Sequence, residues 1–321
     1  MLLLFFFFTA IASAAAADSA RPTSARSHPG RLIEVGGARL FVETEGKGPA
    51  LILLPAGPGL DHGYFHPYLT ALSPYATVVY FDPRGCGRSD PRPPAEYRLD
   101  LMVSDIEGVR RALGLGTINL MAHGLGQAVA TLYADRHPES VGRLIFLGGS
   151  RRASSFLDAP GVVRAMTPDM QTAIASADAD RYLSEDGRMR ERLRILAPLF
   201  FHRLTDRSFQ KAFVDQATTS AGVREAMADG LGSSAGSADI AAALGRLREP
   251  VLIVAGRFDP SSSVEDGQSL RDSIHGARLA ILEESGAFPF AEEPVEFLKI
   301  VKAFLLEGSA KEGGAGAGGG I

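Results

Sequence analysis

The residues of this chain that could do chemistry are few, and the turn best shaped to present a nucleophile carries none. Residues 117–137 read TINLMAHGLGQAVATLYADRH: a buried strand, a sharp turn and an amphipathic helix. Ile118, Leu120 and Met121 suit a strand covered on both faces, and Val129, Leu132 and Tyr133 recur at helical spacing. Ala122, Gly124 and Gly126 are small enough for strand and helix to approach closely. The apex of such a turn displays whatever side chain it holds, and Gly124 has none. Acyl transfer needs a hydroxyl or thiol, a base to take its proton and a group to orient the base. The single thiol, Cys86, sits within DPRGCGRSD and reads as structural. His123 precedes the apex and reads as a core histidine. His62 and His66 follow the Gly/Pro-rich stretch 54–60, so they could face a pocket, with His62 the candidate ligand contact. The seven histidines show no metal-ligand spacing, and neither metal nor cofactor is expected.

These residues need a scaffold, and the pattern supplies one. Short strands at 31–35 and 38–43 meet at Gly36-Gly37, a hairpin turn. A strand at 50–54, a helix at 61–72, a buried strand at 77–81 and a helix at 99–113 come next. The strand–turn–helix unit follows, then a strand at 141–147. From 151 to about 236 the alternation stops and the chain reads as helical, with apolar positions such as Leu193, Leu196, Leu199, Phe200, Phe209 and Phe213. Alternation resumes with a helix at 240–247, a strand at 251–255, a helix at 264–274, a strand at 277–282 and a helix at 292–306. Strands alternating with helices predict a mostly parallel sheet with helices on both faces, and a ligand site at the carboxyl ends of its strands.

Five stretches in order carry a resemblance to the α/β-hydrolases, and within them to the proline iminopeptidase-like group. LPAGPGLDHGYF at 54–65 is similar to that group's HGGPG stretch, with Pro55 at the His and Ala56 at the first Gly. VVYFDPRGCGRSD at 78–90 resembles its strand and D-x-R-G-x-G-x-S loop. AHGLG at 122–126 stands where the G-x-S-x-G elbow belongs, with Gly124 at the serine. VLIVAGRFDP at 251–260 resembles the strand and turn of the triad acid, placing it at Asp259. EESGAFPFAEEP at 283–294 resembles the histidine loop, with Ala287 at the histidine. The resemblance covers about 31–306. It implies an α/β-hydrolase fold, with core segments 31–150 and 237–306 and a helical lid at 151–236. It also implies oxyanion donors at Leu125 and at Ala56 or Gly57. Glu185 and Asp186 are the lid acids available for a substrate's amino terminus.

Of the triad the resemblance implies, only Asp259 keeps its side chain. Losing a whole triad costs about 10⁶ in kcat, roughly 8 kcal/mol of barrier, while about 10³–10⁴ over water can persist from the oxyanion hole and binding. The leading reading is a pseudo-hydrolase that binds a small molecule or short peptide under the lid. A slow hydrolase or lyase working through oxyanion donors and His62 is the alternative, and an active serine peptidase or esterase inactivated by substitution is a third.

Length and composition agree with one well-cored domain: 321 residues, 45% hydrophobic and 22% charged. A net charge of −4 without basic blocks excludes nucleic acid as an expected partner. One cysteine excludes an internal disulfide. Residues 1–17, MLLLFFFFTAIASAAAA, read as a signal peptide, so a secreted or periplasmic protein with no membrane contact after cleavage is expected. Residues 18–30 read as a linker and 307–321 as a disordered Gly/Ala-rich tail.

Overall fold

A computed structural model describes residues 29–148, 159–205, 207–216, 220–231 and 234–307. The expected signal peptide, most of the linker, the start of the lid and nearly all of the tail lie outside these residues. Eight strands form one sheet: β1 (Arg31–Val35), β2 (Ala38–Glu45), β3 (Ala50–Leu54), β4 (Thr77–Phe81), β5 (Ile118–His123), β6 (Val141–Leu147), β7 (Val251–Gly256) and β8 (Arg278–Leu282). Their order is β1-β2-β4-β3-β5-β6-β7-β8. β2 runs antiparallel to β1 and β4, and the remaining pairs are parallel. All five residues of β3 are buried, as an unbroken apolar run in a sheet covered on both faces requires.

One face is covered by α1 (Leu99–Ala112), α2 (Leu125–Arg136) and two later helices, α8 (Ser234–Arg246) and α9 (Val264–Asp272). Val103, Ile106, Val129, Tyr133, Leu244 and Leu270 share its core with Ile52, Leu120 and Phe146. The other face receives α11 (Pro294–Leu306) through Phe297, Val301 and Phe304. The chain between β6 and β7 is helical throughout its described part: α3 (Pro160–Ala165), α4 (Pro168–Ala179), α5 (Glu185–Phe200), α6 (Arg207–Gln216) and α7 (Ala221–Leu231) precede α8. Met189, Leu193, Leu196 and Phe200 of α5 join the α11 side of the core, so this insert caps the carboxyl edge of the sheet. α8 packs on α2 and belongs to the core layer, and the boundary expected at 237 falls inside it. Among the described residues no helix is long and apolar enough to cross a membrane.

One expected element is replaced. Instead of a helix over 61–72 the chain makes two short 3-10 turns, Gly63–Phe65 and Tyr68–Leu72. Pro67 falls between them and has no N–H to continue a helix.

Candidate active site

Gly124 ends β5 and caps α2 with φ +50° and ψ −120°. This is left-handed backbone where any side chain is strained, by roughly 1–3 kcal/mol. A Cβ at this position would lie 2.8 Å from the Ala56 carbonyl oxygen and 3.1 Å from Ala56 Cα, so the loop after β3 is closed onto the apex. The closure is bonded. Leu125 N–H, one of the unpaired donors at the start of α2, donates to Ala56 O at 3.1 Å. Ala56 N–H in turn donates to Tyr64 Oη at 2.8 Å. Two of the three backbone groups expected to form an oxyanion hole, Leu125 and Ala56, therefore already have acceptors inside the protein. The third, Gly57, lines an apolar cavity of about 40 Å³ on the far side of the same loop, with Cys86, Met102 and Val129.

Tyr64 links the loop to the core. Its hydroxyl, accepting from Ala56 N–H, lies within hydrogen-bond distance of His123 Nδ1, at 3.1 Å. Burial pulls His123 down to about 4, so its ring is neutral and sits in the core as its sequence position suggests.

Asp259 follows β7 and is buried. Its Oδ1 accepts from Ser261 N–H at 2.8 Å and from Ser261 Oγ at 2.6 Å. Burial lifts this carboxyl to about 6, the Ser261 and Ser262 donors hold it back, and the Glu292 charge adds to the rise. Ala287 lies in the loop after β8, fully enclosed, with its N–H donating to Phe200 O at 2.8 Å. Phe258 N–H donates to Ser285 O at 2.9 Å, which brings the Asp259 and Ala287 loops side by side. Beneath them Glu292, in α10 (Pro289–Glu292), accepts from the N–H groups of His202 (2.6 Å), Arg203 (2.7 Å) and Gly286 (2.6 Å). One carboxylate thus ties the end of the helical insert to the loop that carries Ala287.

The space under the insert is filled by rings. Phe288 has its centroid 4.5 Å from Phe213, 5.0 Å from Phe201, 5.5 Å from His123 and 5.9 Å from Tyr64. The cavity that remains, between Ala56, Tyr64, Leu193, Phe200, Phe213 and Phe288, measures about 20 Å³. That is room for about one water. Glu185 and Asp186 are exposed at the start of α5, where Asp186 Oδ1 accepts from Ala221 N–H at 2.6 Å. They do not line this space.

His62, expected as a ligand contact, does not line this cavity. It is buried, with Nδ1 2.6 Å from Asp82 Oδ1 and Nε2 3.6 Å from Glu43 Oε2. Burial opposes a charge on this ring, but Asp82 and Glu43 outweigh it and carry its pKa up to about 10. The reason lies in strand order: β2 beside β4 sets Glu43 opposite Tyr80, two residues before Asp82, and His62 falls between the two carboxylates. Cys86 is also buried, and burial pushes its thiol well up, which leaves it unreactive.

Four residues that shape this region were not singled out from the sequence: Tyr64, Phe288, Glu292 and Glu43. Phe288 and Phe290 were visible in GAFPFAEE as an apolar pair beside Ala287. Glu43 and Glu292 act through partners remote in the chain and leave no local signal.

The model of the alpha/beta hydrolase fold matches residues 49–294. The chain is 26% identical to a 2-hydroxymuconate semialdehyde hydrolase of Pseudomonas sp., over 88% of this chain and 95% of that protein. It is 27% identical to a proline iminopeptidase of Saccharolobus solfataricus, over 85% of this chain and 92% of that one. Among solved structures, an esterase from Exiguobacterium antarcticum superposes with a TM-score of 0.69 at 24% identity, over 86% of this chain and 99% of that chain. A sheet with one reversed strand, helices on both faces and an insert after β6 agrees with these matches, and the chain belongs to the α/β-hydrolase fold family.

Proposed function

We propose that this chain is a pseudo-hydrolase, with Gly124 and Ala287 at the nucleophile and base positions of a lost triad, and that it holds a small apolar ligand under the lid. The observation that carries the first part is the bond from Leu125 N–H to Ala56 O, closed over a residue with no side chain. A hydrolase needs a nucleophile at the apex and open donors beside it for the developing oxyanion. Here the apex offers neither an attacking atom nor a free Leu125 N–H. Asp259 has no imidazole to orient and is held instead by Ser261. The lining of the cavity supports the ligand class. Among the described residues it is aromatic and aliphatic, the Tyr64 hydroxyl is its one polar side-chain group, and no carboxylate lines it to receive an amino group. Relatives named as a semialdehyde hydrolase and an iminopeptidase are consistent with a small guest. Entry requires the Phe288 ring to move, because the present cavity holds little more than a water.

Fluorophosphonate labelling with peptide mapping tests the reading, together with hydrolysis of p-nitrophenyl acetate and butyrate. No adduct on the peptide containing residues 117–137 and hydrolysis at background are expected. An adduct there, on Ser285 or on any other side chain of the pocket, or rates like those of ordinary esterases, would overturn it. For the ligand, apolar aromatic compounds are expected to raise the melting temperature, and amino-bearing analogues of the same size to raise it less.

A further inference from the structure

Away from the elbow, the fold gathers a second constellation that the hydrolase reading does not use. His62 and His66 flank the 3-10 turn Gly63–Phe65, and Glu43 reaches them from β2. Glu43 Oε2 lies 3.6 Å from His62 Nε2 and 3.3 Å from His66 Nε2, and one ligand atom from each residue falls within 4.8 Å of the other two. Nitrogen and oxygen ligands about 2.0–2.2 Å from a tetrahedral ion stand roughly 3.3–3.6 Å apart, the spacing of the two glutamate–histidine pairs. The outer partners are in place as well. Asp82 Oδ1, 2.6 Å from His62 Nδ1, fixes that ring with Nε2 facing Glu43 and His66. Glu43 Oε1 accepts from Arg88 at 2.7 Å, which leaves Oε2 directed at the two histidines. Glu43, His62 and Asp82 are almost fully buried, and the side chain of His66 keeps 22% of its surface exposed although its Nε2 is covered.

Two carboxylates already frame the site: Glu43 and Asp82 both lie against the His62 ring, and Glu43 also bonds the Arg88 guanidinium.

We propose that Glu43, His62 and His66 form a site for a divalent transition-metal ion of the zinc type. The ion would join β2 to the 61–67 segment and lies outside the cavity under the lid, so the site stands apart from the loss of hydrolysis. Arg88 is its competitor. Its NH2 lies 3.3 Å from His62 Nε2 and its guanidinium is stacked 3.5 Å above the Phe41 ring. Loading would need the guanidinium to draw back from His62 while it keeps its bond to Glu43 Oε1.

The test uses the full chain without a histidine tag, stripped with chelator and titrated with Co2+ and then Zn2+. One equivalent of Co2+ per chain, with the intense visible bands of a tetrahedral ion that Zn2+ bleaches, is expected. His66→Ala, at the exposed rim, is expected to lose that equivalent while keeping the metal-free melting temperature and circular dichroism. Arg88→Gln is expected to bind more tightly than the parent. Should the folded parent take up no more metal than His66→Ala, the proposal is overturned and the constellation is an ion network alone. A tetrahedral spectrum that survives in His66→Ala would overturn it equally, by placing the metal elsewhere.

Discussion

Two stretches of the sheet's carboxyl edge follow opposite rules. Around the ends of β5, β7 and β8 stand Gly124 and Ala287, phenyl rings fill the space, and Asp259 is bonded by neutral donors. Around the end of β4, beside the middle of β2, charged side chains are paired with opposite ones. Arg84 donates to Asp105 through Nε at 2.7 Å and NH2 at 2.5 Å, Asp82 takes His62 and the Arg88 amide, and the Ser89 hydroxyl donates to Asp82 O at 2.6 Å. The difference separates two kinds of family motif. A group held ready for a substrate is left unsatisfied inside the protein and destabilises it when no substrate comes. A group in a closed ion network cannot be removed without stranding its partner.

The strongest way to break this contrast is to attack the paired side. Arg84→Met leaves Asp105 buried without its bidentate partner and is expected to cost about 3–5 kcal/mol in urea unfolding. A loss near zero would mean that the network is ornamental and the two regions are alike.

Rebuilding the emptied side should cost less. Gly124→Ser forces a side chain into positive φ and against Ala56 O, so a loss of roughly 1–3 kcal/mol is expected. With Ala287→His added, esterase activity should rise above the parent, while either change alone stays at background because the triad acts as a unit. A folded double variant without activity would show that ring packing around Phe288, rather than two missing side chains, now keeps the site closed.

The smallest effect sharpens the contrast most. The Asp259 carboxyl, lifted by burial to about 6, binds its proton more tightly folded than unfolded. Its contribution therefore favours the folded state at low pH and is lost as pH rises from about 4, the unfolded value, through about 6. Asp259→Asn should remove that downward step from the stability–pH curve and gain about 1–3 kcal/mol at pH 7. A loss instead would show that the charged carboxylate is in use.

The sequence made the sheet legible through its buried runs. β1, β3, β4 and β6 have the expected bounds, and β2, β7 and β8 differ from theirs by one or two residues. The elbow was legible because three small residues around a turn let a strand and a helix meet closely, and Gly124 shows the positive φ such an apex demands. The Leu125–Ala56 closure could not be read, because a bond between two backbones leaves no mark on side-chain identity. Nor could the company of His62. Glu43 lies 19 positions earlier, and only the pairing of β2 with β4, a long-range choice, brings it near. At 61–72 the apolar residues suggest a helix, yet Pro67 carries the opposite signal, and the missing N–H decides the outcome.

The Glu292 carboxylate has a consequence for motion. It is a single acceptor shared by amides 83 and 84 positions apart in the chain, those of Arg203 and His202 on one side and Gly286 on the other. The insert is tied through Oε1 and the loop of Ala287 through Oε2 of the same buried side chain. Glu292→Gln should therefore lower the protection of the His202, Arg203 and Gly286 amides against deuterium exchange together, loosening two segments with one substitution.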